Sequence, residues 1–202
     1  EISLGLVGSE MCIRDRGYWV YREAAARNIP FIAAHAHSSP LGMDKNSLFR
    51  FLLKHLMRPY LTHRFTCNEL CGRWLFGRKG MKDAVVVRNA IDAGKFSYSP
   101  ETRERVRREM GWEGKLVAGH TGNFSWPKNH EFLLRVFQAF LGLHPDSLLV
   151  LAGSGGEKEE QVRQEAERAE WRGRIRLLGG RDDIPDLLQG MDVFVFPSWF
   201  EG

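Results

Sequence analysis

The chain has 202 residues, a formal net charge of +4 and 43% hydrophobic residues. No apolar run approaches the ~18 residues of a membrane-spanning helix, and the mixture of both charge signs argues against a disordered chain. The basic excess is small and the sequence contains no RNA- or DNA-binding motif, which argues against a nucleic-acid partner. The length is compatible with one large domain or two small ones.

Residues 1–16 form the first segment and fit nothing downstream. Their end, MCIRDR at 11–16, back-translates to a sequence that resembles a transposase-based sequencing adapter. We interpret the segment as a translated artefact and exclude it, the alternative being a genuine flexible N-terminus. Downstream of it, Cys67 and Cys71 have no second Cys or His pair at zinc-site spacing, so we interpret them as small apolar residues in a reducing compartment.

The first half of the chain alternates helices with short strands. Apolar faces between capping and breaking residues predict helices over 17–28, from 46 or 47 to about 61, and over 69–76, where Gly77 ends the last one. Short apolar runs predict strands over 31–34, 65–67 and 84–87. The last of these, AVVV, is interpreted as a buried strand.

The second half follows a β-α-β-α-β-α-β pattern from residue 115, preceded by a charged helix over 100–110. Strands are predicted over 115–120, 147–152, 175–178 and 193–196, with helices over 129–143, up to about 171, and over 184–188. This alternation predicts a parallel sheet with right-handed crossovers. The continuous apolar run SLLVLA at 147–152 predicts a strand buried on both faces.

The helix beginning near Ser47 has an apolar and a basic side. Its apolar side is predicted to comprise Leu48, Phe49, Leu52, Leu56 and Met57. Its basic residues are Arg50, Lys54, His55 and Arg58, followed by His63 and Arg64. Such a helix can lie on an anionic membrane, and the alternative is a solvated basic face over a hydrophobic core.

Four loops of the second half carry the candidate site, because ligands of open parallel sheets bind beyond the carboxyl ends of the strands. The loops are GNFSWPK (122–128), GSGG (153–156), GGRDD (179–183) and PSWFEG (197–202). Lys128 precedes a predicted helix N-terminus, where backbone N–H groups and a lysine favour an anion such as a diphosphate. The loops match neither the Walker nor the dinucleotide motif, so a solvated lysine and a plain turn are the alternatives.

Several segments together resemble the retaining, GT-B-fold glycosyltransferases of family 4, within the glycosyl transferases group 1. They are NAID (89–92), GNFSWPKNHEFLL (122–134), LLVLAGSGG (148–156) and residues 175–202, in this order and spacing. IPFIAAHAHSSP and CNELCGRWLFGRKG are similar to the acceptor-side half of members that build exopolysaccharide or lipopolysaccharide. The resemblance spans residues 17–202.

The resemblance implies an α/β fold with two Rossmann-like, parallel-sheet domains, both incomplete here. It divides the chain into an acceptor-side domain over 17–98, a linker helix over 99–114 and a nucleotide-sugar-binding domain over 115–202. It implies no metal ion and no cofactor besides the donor substrate, because basic side chains and helix N-termini neutralise the diphosphate. The second glutamate of the family's E-x7-E motif would lie beyond residue 202, and the family's first N-terminal strands have no match in this chain. We therefore expect a chain truncated at both ends and inactive by itself.

The resemblance also implies roles for individual donor-site residues. Gly122 and Lys128 match the loop that contacts the phosphates, and Lys128 would stabilise the departing nucleoside diphosphate. Asn123 stands where the family often has an arginine, and it provides no charge. The remaining matches are the nucleotide-bordering glycines Gly153 and Gly155, the base-contacting turn Gly180 and Arg181, and Glu201 near the donor sugar.

Histidines occur at two further places of interest. His35 and His37 stand two apart at a predicted strand end and point to the same side if the strand continues. The family places a histidine here, close to the donor sugar, and the spacing does not choose between the two; local hydrogen bonding in a loop is the alternative. His120 and His130 flank the phosphate loop; we expect His120 to pack at a strand end and His130 to lie on the helix, neither with a special role.

The resemblance implies a hexosyltransferase-type enzyme that moves a sugar from a nucleoside diphosphate-sugar to a hydroxyl with retention. The acceptor would be a glycan or a lipid-linked glycan in exopolysaccharide, lipopolysaccharide or other glycan synthesis. The implied location is cytoplasmic, with peripheral contact at the inner face of the plasma membrane as an option. The alternatives are a nucleotide-sugar 2-epimerase-like GT-B enzyme and an inactive nucleotide-binding fragment.

Overall fold

The structure, a computed structural model, describes residues 17–37, 47–171, 173–199 and 201. These residues divide into two compact units, one ending at Ala90 and one running from Ile91 to Glu201. The adapter-like segment 1–16 and the predicted loop at 38–46 lie outside the described residues. Within the described part, no helix has the length and hydropathy needed to span a bilayer.

The first unit is a three-stranded parallel sheet with helices, and its strands lie in the order β1-β2-β3. Asn68 begins one helix by accepting a hydrogen bond from the Cys71 backbone N–H at 2.9 Å. In chain order the elements are α1 (Gly17–Ala26), β1 (Ala33–Ala36), α2 (Ser47–Met57), β2 (His63–Thr66), α3 (Glu69–Gly80) and β3 (Ala84–Val86).

Three predictions for the first unit are corrected. The strand predicted over 31–34 lies at Ala33–Ala36, so His35 belongs to β1 instead of following it. Gly77 has the non-helical φ of +72°, but α3 resumes after this kink and ends at Gly80 instead of at Gly77. The strand β3 is not buried, because Val85 and Val86 are 56% and 47% exposed at the edge of the sheet. An apolar run predicts a strand correctly, but its burial depends on what covers the two faces.

The core of the first unit lies between β1, β2 and the helices. Cys67 and Cys71 are free and buried there, in accord with their interpretation as small apolar residues. The helix α2 contributes only part of its predicted apolar side to the core. Met57 is buried together with Leu53, whereas four residues of that side are exposed: Leu48, Phe49, Leu52 and Leu56.

The second unit is a four-stranded parallel sheet in the order β6-β5-β4-β7, so the predicted parallel arrangement is confirmed. The predicted helix up to about 171 ends at Ala166 and is followed by a 3-10 turn. In chain order the elements are α4 (Pro100–Glu109), β4 (Val117–Thr121), α5 (His130–Leu143), β5 (Leu148–Ala152), α6 (Glu159–Ala166), β6 (Ile175–Gly179), α7 (Ile184–Gly190) and β7 (Val193–Phe194).

The strand β5 is buried along its whole length, as the SLLVLA run predicts. Leu149 and Leu151 pack with Leu133 of α5 on one face of the sheet. Leu148 and Val150 pack on the other face, with residues of α4 and α7. Helices on both faces therefore give this sheet two hydrophobic cores.

The helix α4, predicted as a linker, is attached to the second unit by an aspartate. The carboxylate of Asp192 accepts hydrogen bonds from Arg103 and Arg107 and from the Val117 backbone N–H, the last at 2.8 Å. Arg103 also donates to the Met191 carbonyl at 2.8 Å. These contacts join α4 to the start of β4 and to the residues preceding β7.

Candidate functional site

Three of the predicted ligand-binding loops meet at one edge of the second sheet, beyond the ends of β4, β5 and β6. The Gly122 N–H donates to the Ala152 carbonyl at 3.0 Å, and the Gly153 N–H donates to the Gly179 carbonyl at 2.7 Å. The parallel register of the strands produces this meeting, since their carboxyl ends lie side by side.

Glycine is required at Gly153 by the closeness of the neighbouring loop. A Cβ atom on Gly153 would lie 1.9 Å from the Gly122 carbonyl oxygen, and the Gly153 φ of +154° also disfavours a side chain. Gly155 has a φ of +73°, and its carbonyl accepts a hydrogen bond from Phe124 at 2.7 Å. These glycines therefore hold the loops against one another, and their contact with a nucleotide stays a prediction.

Lys128 and Glu201 are brought together at this edge. The Lys128 Nζ lies 2.8 Å from the Glu201 Oε1 and 5.4 Å from the ring centroid of Phe196. The Lys128 methylenes pass Gly122, whose Cβ, if present, would lie 3.3 Å from the Lys128 Cε. Of the predicted donor-site residues, Gly122, Lys128 and Glu201 thus lie in one place.

A helix N-terminus adjoins this ion pair. The 3-10 turn Trp126–Lys128 leads through Asn129, which has a left-handed φ of +55°, into α5. Within the described chain, α5 begins without a side-chain capping hydrogen bond from Asn129. The positive end of the helix dipole and the Lys128 ammonium therefore point to an anion-binding position.

The surroundings of Glu201 favour its carboxylate form. Burial raises the pKa of Glu201, but hydrogen bonds from Lys128 and Ser198 and the charge of Lys128 together lower it by more, so the Glu201 pKa is held below its usual value. The Glu201 side chain is about 38% exposed and the Lys128 side chain about 20%. An anion that binds Lys128 must therefore compete with the Glu201 carboxylate.

Two buried histidines lie next to the Lys128–Glu201 pair, closer to the candidate site than the sequence indicated. His120 at the end of β4 and His130 at the start of α5 are 1% and 4% exposed, with ring centroids 5.1 Å apart. Burial, then the neighbouring His120 and Lys128, lower the pKa of His130 to about 4. The sequence did offer one indication of this proximity: the two histidines flank the 122–128 loop, so both must lie near it.

His120, in β4, also contacts the segment that follows β7. Its Nδ1 lies 2.9 Å from the Val195 carbonyl, to which it donates in the tautomer that satisfies this bond. This bond holds the residues that lead into the PSWFEG loop beside the end of β4. Across the described residues, no group of three His, Cys, Asp or Glu side chains is placed to hold a metal ion.

Asn123 and Arg181 are engaged in local contacts. The Asn123 Oδ1 accepts a hydrogen bond from the Ser125 hydroxyl at 2.8 Å. Arg181 binds Asp183 through two hydrogen bonds of 2.8 and 2.6 Å, and this partner raises the Arg181 pKa. The neighbouring Gly180 lies beside Ser154, whose Oγ would be 3.1 Å from a Cβ on Gly180. The charge of Arg181 is thus paired with Asp183, and the contact of this turn with a base stays a prediction.

The first unit contains the other predicted histidines. The rings of His35 and His37 lie 3.8 Å apart between centroids, so both side chains point to the same side as their spacing predicts. His35 is partly buried, and its Nε2 has no hydrogen-bond partner among the described residues. Burial, then the adjacent His37, lower the pKa of His35. Their roles toward a donor sugar stay predictions.

Several known proteins are similar to this chain in sequence. The family model for glycosyl transferases group 1 matches residues 102–202. The chain is 30% identical over 188 residues to EpsF of Bacillus subtilis, which covers 89% of the chain and 48% of EpsF. It is 27% identical over 189 residues to the Escherichia coli UDP-Gal:alpha-D-GlcNAc-diphosphoundecaprenol alpha-1,3-galactosyltransferase, covering 89% of the chain and 48% of that protein.

A solved structure with the same fold is that of Anabaena HepE in complex with UDP and glucose. The TM-score is 0.73 at 21% identity, covering 91% of this chain and 50% of that one. With the two parallel sheets, this likeness confirms the predicted α/β fold of the GT-B class. The chain spans about half the length of the curated relatives it matches.

Proposed function

The chain belongs to the glycosyl transferases group 1 family, and from this premise we propose that it acts in the transfer of a sugar from a nucleoside diphosphate-sugar to a hydroxyl acceptor. The observation that carries the proposal is the position of Lys128. Its ammonium lies where the glycine loops of the sheet edge meet the N-terminus of α5. Backbone dipoles and a cation together favour a diphosphate.

In the proposed reaction, the chain's residues stabilise charge and position the sugar. Lys128 and the first N–H groups of α5 neutralise the departing diphosphate, which provides electrostatic stabilisation without a metal ion or cofactor. Gly122 and Asn123 line the phosphates, Gly153 and Gly155 border the nucleotide, and the backbone of Gly180 and Arg181 pairs with the base. Glu201 lies near the donor sugar.

Retention of the anomeric configuration is part of the proposal and follows family 4. The acceptor hydroxyl attacks from the face that the diphosphate leaves, and the leaving phosphate takes the acceptor proton. His35 or His37, on the acceptor-side unit, orients the transferred sugar. The closeness of the two rings, 3.8 Å between centroids, makes either one available to the same ligand.

The acceptor is proposed to be a glycan or a lipid-linked glycan, in exopolysaccharide, lipopolysaccharide or a related synthesis at the cytoplasmic face of the plasma membrane. One observation on α2 supports a peripheral membrane contact: its exposed side chains include Leu48, Phe49, Leu52 and Leu56. Lys54 of α2 and Arg58 just after it are turned toward α3, where they donate to the Trp74 and Leu75 carbonyls at 3.2 and 2.9 Å. The proposed membrane contact therefore rests on the apolar side chains and not on these two cations.

The test is binding of UDP, the nucleotide bound by HepE, measured by titration calorimetry with the 202-residue chain. We expect Lys128→Ala to weaken UDP binding by about tenfold or more, because a charge-assisted contact is lost. Glu201→Gln should strengthen UDP binding, because the Glu201 carboxylate then no longer competes with the phosphate for the Lys128 ammonium. The matched control is Lys115→Ala, which removes a lysine just before β4, at the opposite edge of the sheet.

Equal UDP affinity of the parent chain and Lys128→Ala would contradict the phosphate role of Lys128. The same readout with UDP-glucose extends the test to the sugar. Glu201→Gln should then lose the additional affinity that the glucose moiety provides.

A further inference from the structure

Two tryptophans stand side by side on the surface of the second unit, next to the candidate donor site. The indoles of Trp126 and Trp199 are nearly parallel, at 16°, with ring centroids 6.4 Å apart. They are 54% and 63% exposed. Large aromatic rings exposed together are unusual on a soluble protein surface and typically mark a binding site.

The loops that carry the two indoles are fixed to each other. The Trp199 backbone N–H donates to the Pro127 carbonyl at 2.9 Å, and the Asn129 side-chain amide donates to the Pro197 carbonyl at 3.2 Å. On the other side, the Trp126 backbone N–H donates to the Glu157 carboxylate at 2.6 Å. These contacts hold the backbones of both tryptophans, so a ligand would not have to bring the two loops together.

A cavity of about 600 Å³ begins at these indoles and continues between α5 and α6. Its volume lies within the range of small-ligand sites. Leu134, Val162 and Trp171 provide apolar lining, and the polar lining includes Glu131, Gln138 and Gln161. An apolar lining with several carboxylate and amide groups suits a ligand that has both C–H faces and hydroxyl groups.

Charge at the cavity distinguishes between ligand classes. Its basic side chains are each bound to a neighbour: Arg135 to Glu131 at 2.6 Å, Arg168 to Glu165 at 2.7 Å and Lys158 to Gln161 at 3.0 Å. A phosphate would have to break one of these contacts, whereas a neutral hydroxyl can join them as donor or acceptor. The cavity therefore favours a neutral ligand over an anion, in contrast to Lys128.

We propose that the cavity beside Trp126 and Trp199 is a second site that binds a neutral glycan. Pyranose rings stack their C–H faces on the indoles, and their hydroxyl groups bind the carboxylates and amides between α5 and α6. Trp126 is two residues before Lys128 and Trp199 is two residues before Glu201. A glycan bound here lies beside the anion-binding position without occupying it. The glycan site does not depend on the proposed function, since it needs no nucleotide.

The test uses the 202-residue chain with a panel of neutral probes: maltotriose, lactose, mannobiose and chitobiose. Binding is detected by saturation-transfer NMR on the sugar protons and quantified by titration. We expect at least one probe to bind at millimolar concentration, and Trp126→Ala and Trp199→Ala to weaken it about tenfold. Trp199→Phe should retain part of the affinity. The matched control is Trp19→Ala, which removes an indole of similar exposure, 57%, from the first unit and should leave binding unchanged.

Three results would overturn the proposal: no probe binds the folded parent chain, Trp19→Ala weakens binding as much as Trp199→Ala, or inorganic phosphate displaces the sugar. Circular dichroism of each variant establishes that it is folded. UDP titrations of the same samples separate the two sites. Loss of sugar binding with UDP affinity retained in Trp199→Ala supports a distinct glycan site. Absence of UDP binding with sugar binding intact would contradict the proposed donor site alone.

Discussion

The two units contain strands that read alike in sequence and differ in their surroundings. AVVV at 84–87 and SLLVLA at 147–152 are both continuous apolar runs. The second forms β5, which is buried throughout between two layers of helices, whereas the first forms β3, which lies at a sheet edge with exposed valines. An apolar run therefore specifies a strand, whereas the position of that strand in the sheet determines whether it is buried.

The largest effect on stability is expected from shortening a buried side chain of β5, in the interior of the second sheet. Leu149 is fully buried in β5, so Leu149→Ala should lower the free energy of unfolding by about 2–5 kcal/mol, from lost transfer energy and a cavity. Val85→Ala on β3 should cost well under about 1 kcal/mol, because Val85 is 56% exposed. Urea denaturation followed by tryptophan fluorescence and circular dichroism measures both.

A large cost for Val85→Ala would break this comparison, because it would show that the outer face of β3 is covered in solution. Sedimentation of the parent chain over a range of concentrations would then identify self-association as the cause. A small cost for Leu149→Ala would show that the second core tolerates the cavity by collapsing.

The buried histidine of the second unit gives an intermediate effect that depends on pH. The His130 pKa of about 4 lies below the unfolded value near 6.5, so the unfolded chain binds the proton more strongly. The stability of the second unit should therefore fall as pH decreases from about 6.5 to 4, by up to about 3 kcal/mol from this group.

His130→Phe should remove most of that pH dependence, because phenylalanine does not titrate and fits among the same rings. His144→Phe is the control, since His144 is exposed at the end of the same helix. The measurement is the urea midpoint of the second unit at a series of pH values. If the urea midpoint of His130→Phe still fell with pH as in the parent chain, the acid sensitivity would come from another group. One such group is Asp192, whose carboxylate binds two arginines.

Sequence reasoning predicted the order of strands and helices better than it predicted side-chain surroundings. The parallel sheet of the second unit followed from its alternating elements, since helical crossovers between strands fix parallel pairing. The meeting of Gly122, Lys128 and Glu201 followed from the resemblance and from the common edge at which parallel strands end. The Lys128–Glu201 ion pair, however, depends on the paths of two loops that are 73 positions apart, and no local pattern encodes them.

The buried histidines and the tryptophan pair are further contacts between distant segments that the sequence did not predict. In the sequence, His120 and His130 only flank a loop. In the structure, β4 and α5 place their ring centroids 5.1 Å apart. Trp126 and Trp199 lie side by side because the 122–128 loop and the PSWFEG loop are joined by the hydrogen bond from the Trp199 N–H to the Pro127 carbonyl. Pairwise features between distant segments therefore required the structure, whereas features set by one segment's periodicity did not.

The smallest effect, and the sharpest test of the first unit, concerns the exposed side of α2. If Leu52 and Leu56 insert into a bilayer, replacing both with serine should weaken vesicle binding about thirtyfold, because each exposed leucine contributes about 1 kcal/mol on burial. The matched control is Phe132→Ser with Leu143→Ser on α5, which removes two exposed apolar side chains from the second unit. Flotation with vesicles of phosphatidylglycerol and phosphatidylcholine measures the bound fraction of each variant. Equal loss in both double variants would show that the two units do not differ in membrane contact, and no binding by the parent chain would contradict the proposed membrane role of α2.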